Sequence, residues 1–260
     1  MNILVCIKEV LDPDGVITIA PSGENLLTDR NTLYKLNRFD EFAVEEALRI
    51  KDGDKNAISV EVVTVGPPRA ETVLRRALGM GADHGGHIRT KEGFFLSPFI
   101  VASALASYVK PKIYDLILTG ILAEDDLEGQ VGPLLSELLS LPCITSAIDL
   151  NLAPQRQRLE VHREIEGGLR ERLNLKLPGV VTIQSSRHNP RYPTLTHVLR
   201  ARKQALKTIP IETLETLEPR QRLFRISYPQ KSRSGQVLAG SPREKASQLR
   251  QILKEKGLIA

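Results

Sequence analysis

The sequence predicts an α/β protein: an open, mostly parallel, doubly wound sheet with helices on both faces, extended by a β-hairpin and a C-terminal partner-binding arm. Two patterns carry this reading. Short β-branched runs alternate with segments of three- and four-residue apolar periodicity through the first half, as in a parallel sheet buried between helices. In the second half, strict alternation on either side of a glycine pair marks a hairpin.

In chain order, residues 3–7 form a short apolar strand. Phe39, Phe42, Ala43, Ala47 and Ile50 recur at helical spacing, with Gly53 just past the end. Residues 58–65 form a β-branched strand, and Pro67-Pro68 suits the first turn of a helix carrying Ala70, Val73, Leu74, Ala77 and Leu78 inward. A weaker strand lies around 87–89, with His84 and His87 read as loop residues beside Gly85-Gly86. Helices follow over 98–108 and 129–139, with strands over 116–118 and 143–148. The hairpin runs from 158–163 through Gly167-Gly168 to residue 177, and Pro178 precedes a strand over 180–183. Three regions are expected: 1–186 as the α/β domain with its hairpin, 187–210 as a basic loop and helix, and 211–260 as an arm. Residues 211–240 show little periodicity and call for a partner surface. The arm closes with a helix over 242–256, capped by Ser241 and followed by Gly257.

Composition narrows the function. The longest apolar runs are strand-sized, far short of the ~18 residues a membrane helix needs. Met1-Asn2 leads straight into the first strand, so a cytoplasmic protein without membrane insertion is expected. Cys6 and Cys143 are too few for a disulfide framework and too far apart for a metal motif, and they read as buried, inert thiols. Aromatics make up 4% of the chain and Trp is absent, which poorly supplies the stacking that single-stranded nucleic acid requires. The net charge of +5 is concentrated: Arg187, Arg191, Arg200, Arg202, Lys203 and Lys207 fall in one stretch that holds no acidic residue. Such a run is usually a solvated face; the functional alternatives are docking of an acidic protein partner or of nucleic acid.

Ligands of open α/β sheets lie beyond the carboxyl ends of the strands. Three such ends stand out: Cys6-Ile7-Lys8, Val65-Gly66-Pro67-Pro68, and Thr119-Gly120 with the acidic loop that follows. Glycines there let backbone approach a phosphate, and a helix N-terminus offers unpaired N–H donors. The pattern suits a nucleotide loop, and the alternative is an acidic connecting loop with helix-favouring charges near a helix N-terminus. No Gly-x-Ser-x-Gly, Walker loop or His-Glu-x-x-His motif occurs, and the five histidines show no metal spacing, so no catalytic residue and no metal site are expected.

The segment Val161-His-Arg163-Glu-Ile-Glu166-Gly167-Gly168-Leu-Arg-Glu171-Arg-Leu173, followed by Pro178-Gly-Val180-Val181-Thr182, resembles the signature of the electron transfer flavoprotein beta subunit. Asn37-Arg-Phe39-Asp40-Glu-Phe-Ala-Val-Glu45-Glu46-Ala47, Ala77-Leu-Gly-Met80-Gly81-Ala82-Asp83 and Asn189-Pro190-Arg191-Tyr192-Pro-Thr-Leu195 resemble family segments in family order, over nearly the whole chain.

The resemblance implies an electron carrier rather than an enzyme. Such a subunit pairs with an alpha subunit that holds most of a shared FAD, takes electrons from acyl-CoA or related dehydrogenases, and serves a membrane quinone reductase. It carries AMP, or a second FAD in bifurcating members that oxidise NADH. By matching segments, the nucleotide would contact Cys6, Asn37, Arg38, Phe39, Asp40, Val65, Gly120, Ile121, Leu122, Ala123, Glu124, Asp125, Asp126, Leu127, Glu128, Gly129, Gln130 and Val131. Leu195 would be an apolar anchor for the dehydrogenase, with Arg191, Tyr192, Arg200 and Lys203 around it, and Glu164 would help orient the flavin domain. Bifurcating members carry Asp-Gly-Asp-Thr before Gln-Val-Gly-Pro. Here Asp125-Asp126-Leu127-Glu128 precedes Gln130-Val131-Gly132-Pro133, which favours AMP, with FAD the alternative. Beside these stands a third possibility that the bare fold allows, a nucleotide-binding regulatory module.

Overall fold

Along the first strand, β1 (Asn2–Ile7), Ile3, Val5 and Ile7 belong to one buried core cluster while Leu4 and Cys6 belong to another. A strand whose two faces are both apolar must be covered on both sides. The computed structural model describes residues 1–92, 96–229 and 235–259. After β1 come β2 (Glu9–Leu11), β3 (Thr18–Ile19), β4 (Leu26–Leu27), β5 (Tyr34–Leu36), α1 (Arg38–Asp52), β6 (Ser59–Gly66), α2 (Glu71–Met80), β7 (His84–Arg89) and α3 (Pro98–Val109). The chain continues through β8 (Leu116–Gly120), α4 (Val131–Leu138), β9 (Cys143–Leu152), β10 (Arg158–Glu164), β11 (Arg170–Lys176), β12 (Gly179–Ile183), α5 (Leu195–Lys203), β13 (Lys207–Pro210) and α6 (Pro242–Glu255).

Nine strands form the main sheet in the order β11-β10-β9-β12-β8-β1-β6-β7-β13. All neighbours are parallel except β10, which is antiparallel to β9 and β11. Helices α1 and α2 pack with one face through Ala43, Val44, Ala47, Val73, Leu74 and Ala77, and α5 adds Ala201. Helices α3 and α4 cover the other through Ala102, Leu105 and Leu135. From β1 the chain moves outward to β6 and β7, then returns to β8 on the opposite side of β1. That reversal opens a crevice between β1 and β8.

Several segments depart from the sequence expectation. His84 and His87 stand in strand β7 rather than in a loop, and His87 is buried with Nε2 3.0 Å from the Gly66 carbonyl oxygen. The glycines that read as loop are there for packing: a Cβ on Gly86 would strike the Tyr108 hydroxyl, and one on Gly85 would come 2.6 Å from a Leu206 methyl. Residues 9–36 hold two small antiparallel pairs, β2-β5 and β3-β4, and β13 adds a parallel edge strand to β7; no periodicity announced either.

The residues group into two compact units, Met1–Ile226 and the remainder from Ser227 onward. The first part of the expected arm is tied to its own unit: the Glu215 and Leu217 backbone N–H groups donate to the hydroxyls of Ser107 and Ser103 on α3. Phe224 stays 83% exposed. Of the arm, residues 230–234 and 260 lie outside the described residues. In the second unit, α6 begins with a capping box between Ser241 and Glu244 and buries none of its residues. Among the described residues, no helix is long and apolar enough to cross a membrane.

Candidate functional site

Asp40, in the first turn of α1, is 5% exposed and spans the crevice. Its Oδ2 accepts the Lys8 backbone N–H at 2.7 Å and its Oδ1 accepts that of Gly120 at 2.9 Å. One carboxylate thus ties the ends of β1 and β8 where they would otherwise diverge. Burial pushes this carboxyl up to about 7, against the opposing pull of the Lys8 backbone, the Asn37 side chain and the Gly120 backbone. Asn37, at the N-cap, is also buried; its Nδ2 donates to the Leu122 carbonyl at 2.9 Å and its Oδ1 accepts the Glu124 N–H at 3.2 Å.

The acidic loop is held by cations as well. Lys8 Nζ lies 2.7 Å from Asp125 Oδ1 and 2.8 Å from Asp126 Oδ2, and Lys35 lies 3.4 Å from Glu124. Burial alone would lower the Lys8 pKa, but the two aspartates outweigh it and raise it. Glu128 differs from the other three acids: its Oε2 is buried and has no hydrogen-bond partner. No side chain caps α4, whose first turn contains Pro133, so N–H donors at its start are open to a ligand.

These groups line a cavity of about 590 Å³ at the crevice. Its apolar lining comes from Val63, Val65, Leu96, Pro98, Val101 and Leu105, joined by Leu26, Leu223 and Ile226. The rest is the loop from Gly120 to Val131 with Cys6, Lys8, Asn37 and Asp40. Burial, with the Asp40 charge beside it, pushes the Cys6 thiol far up and keeps it protonated. An apolar wall lies next to a polar loop and a helix start without a side-chain cap, and the volume lies within the roughly 300–1,000 Å³ usual for small-molecule pockets.

The structure brings the expected contact residues together around this cavity, with four exceptions. Arg38 lines a neighbouring groove of about 980 Å³ with Tyr34, Arg69 and Tyr192. Phe39 packs against Gly120, Glu124 is taken by Lys35 and the Arg38 N–H, and Leu127, in a left-handed φ of 55°, is 66% exposed. Sequence reasoning missed the α3 wall and the lining residues Leu26, Leu223 and Ile226, which come from segments without a recognisable pattern.

In the basic stretch, Leu195 is 75% exposed as the first residue of α5, with the Thr194 hydroxyl accepting the His197 N–H. Tyr192 is exposed beneath the Arg76 guanidinium, and Arg200 and Lys203 fall in the last turn of α5. Arg191 behaves differently from the free surface cation expected of it: its guanidinium forks onto Glu45 at 2.8 and 2.9 Å and reaches Asp52 at 2.9 Å. Glu164 ends β10 and accepts from Gln184 Nε2 at 3.4 Å, at a cavity of about 460 Å³ beside the hairpin turn.

Fold and site together define an open α/β protein with a ligand cleft at the switch point of its sheet. The family model for the electron transfer flavoprotein domain matches residues 25–216. The chain is 33% identical to the electron transfer flavoprotein subunit beta of Bacillus subtilis (strain 168), over the whole of both chains. It is 37% identical to that of Homo sapiens over 80% of this chain and 81% of that one, and 34% identical to the mitochondrial subunit beta of Arabidopsis thaliana over 92% and 94%. The chain belongs to the electron transfer flavoprotein family, on the side of its beta subunits.

Proposed function

We propose that this protein is the beta subunit of an electron carrier, pairing with a flavin-bearing alpha subunit and carrying AMP in the cavity at the switch point. The observation that carries the reading is the juxtaposition there of an apolar slot, the uncapped start of α4 and the buried, unpartnered Glu128 oxygen. Cys6, Val65 and the α3 wall would enclose the adenine, the start of α4 would face the phosphate, and Glu128 would accept from a ribose hydroxyl. A shared FAD, held largely by the alpha subunit, supplies the redox chemistry. The residues of this chain hold the nucleotide, support the flavin domain through Glu164, and present the exposed Leu195 to an acyl-CoA or related dehydrogenase. Around it, Tyr192, Arg200 and Lys203 would form the polar rim. The arm and α6 would lie on the alpha subunit, and a membrane quinone reductase would receive the electrons. The carrier would work in the cytoplasm, where Cys6 and Cys143 stay reduced.

The test is stopped-flow reduction of the purified heterodimer by an acyl-CoA dehydrogenase and its substrate. Flavin bleaching that needs the dehydrogenase and does not occur with NADH supports a simple carrier. Bleaching by NADH alone would overturn it in favour of a bifurcating subunit with a second FAD.

A further inference from the structure

The loop between β12 and α5 carries Tyr192 and leads into Leu195, the first residue of α5, both assigned above to partner contact, yet it has almost no structure of its own. Among the described residues, no backbone–backbone hydrogen bond is made by the N–H or carbonyl groups from Ser185 to Pro193. A segment of that length held by nothing would sample many conformations, and ordering it costs entropy on binding.

Two adjacent residues of α1 supply what the backbone does not. Glu45 accepts three times from Arg191: the backbone N–H at 3.0 Å, Nε at 2.9 Å and Nη2 at 2.8 Å. Arg191 Nη2 also reaches Asp52, two turns further along the same helix, at 2.9 Å. At the other end of the loop, the Ser186 hydroxyl donates to Glu46 Oε1 and accepts the His188 N–H at 3.0 Å. The side chains of Glu45 and Glu46 are only 6% and 1% exposed. Glu46 is itself held by Arg49 at 3.0 Å, and Arg49 lies 3.6 Å from Asp149 on β9. A planar guanidinium gripped in a fork by a nearly buried carboxylate fixes direction as well as distance. Pro190 and Pro193 flank that grip and remove further freedom.

We propose that Glu45 and Glu46 are positioning residues for the partner-facing loop, gripping it at Arg191 and Ser186 so that Tyr192 and Leu195 are held outward. This rests on the assignment of Leu195 as the contact with the dehydrogenase. Arg191 then acts mainly within the subunit, and the cations left to face a partner are Arg200 and Lys203. The loop is ordered before the encounter.

Hydrogen exchange followed by mass spectrometry, on the heterodimer, decides the positioning role without any dehydrogenase. In the wild type the His188 and Arg191 amides, bonded to Ser186 and Glu45, should exchange slowly within the 187–194 segment. Glu45→Gln and Arg191→Ala should each speed that segment at least tenfold while α1 keeps its protection, with Arg191→Lys in between. Unchanged exchange over 187–194 in Arg191→Ala, or equal acceleration in the loop and in α1, overturns the proposal. Transfer from an acyl-CoA dehydrogenase then tests the assignment beneath it. Glu45→Gln should raise the half-saturating carrier concentration at least fivefold and leave the rate at saturation unchanged. A loosened loop with unaltered transfer supports the positioning role and overturns the Leu195 contact instead.

Discussion

Asp40 Oδ1 accepts the backbone N–H of Gly120 at 2.9 Å, so the N-terminal turn of α1 is bonded to the end of β8, where the acidic loop begins. The glycine is what allows this approach. A Cβ at position 120 would meet Asp40 Oδ1 and come 2.8 Å from Phe39 Cβ. The residue expected to admit a phosphate thus first admits a carboxylate and an aromatic side chain.

Gly120→Val should therefore fail in two ways. Overpacking of this kind costs roughly 1–3 kcal/mol, and displacing Asp40 releases the ends of β1 and β8 that form the cavity floor. Thermal melting and extraction of bound nucleotide check it. The expected result is a lower Tm and nucleotide loss together.

The Asp40 carboxyl gives a pH signature. Burial raises it to about 7 in the folded protein, whereas an unfolded Asp titrates near ~3.9. Between these values the folded state holds a proton that the unfolded state has released. The contribution to stability is fully present below about pH 4 and is lost as pH rises through about 7. Chemical denaturation at pH 5 and pH 8 should show wild type losing on the order of 3 kcal/mol more than Asp40→Asn. An identical pH response in both proteins would contradict the assignment.

Two contacts hold the acidic loop, and they should behave differently. Asn37 is 1% exposed and satisfies a carbonyl and an N–H of the loop. Asn37→Leu leaves both unpaired and should cost about 1–3 kcal/mol along with nucleotide retention. Lys8 is 40% exposed on its side chain, so Lys8→Met should change stability by about 1 kcal/mol or less while still weakening retention. Equilibrium unfolding beside nucleotide quantitation separates the two.

Leu195→Ala removes a side chain that touches little of its own chain. Exposed substitutions of this kind fall within about ±0.5 kcal/mol, whereas a buried Leu→Ala would cost roughly 2–5. The variant should melt like wild type, keep its nucleotide and lose transfer from the dehydrogenase. Raising the salt should slow the remaining association, as the proposed steering by Arg200 and Lys203 requires.

What was legible in the sequence follows from what leaves a local pattern. The helix over 38–52 shows its periodicity, and the hairpin shows Gly167 and Gly168, both at positive φ. The strand ends at Cys6, Val65 and Gly120 follow from the rule that ligands sit beyond such ends. Three things were not legible. Gly85-Gly86 reads as loop because the side chains that demand glycine, Leu206 and Tyr108, are distant in sequence. The edge strand β13 depends on pairing with β7 across some 120 residues. Arg191 reads as a free cation because Glu45 and Asp52, which bind it, lie about 140 positions earlier.

The most direct test is the nucleotide content of the intact heterodimer, measured by acid extraction and chromatography against protein concentration. The expected result is one FAD and one AMP per heterodimer, with the AMP lost in Gly120→Val and Asn37→Leu while the FAD is retained. Two FAD and no AMP, or AMP retained in full by both variants, would contradict it.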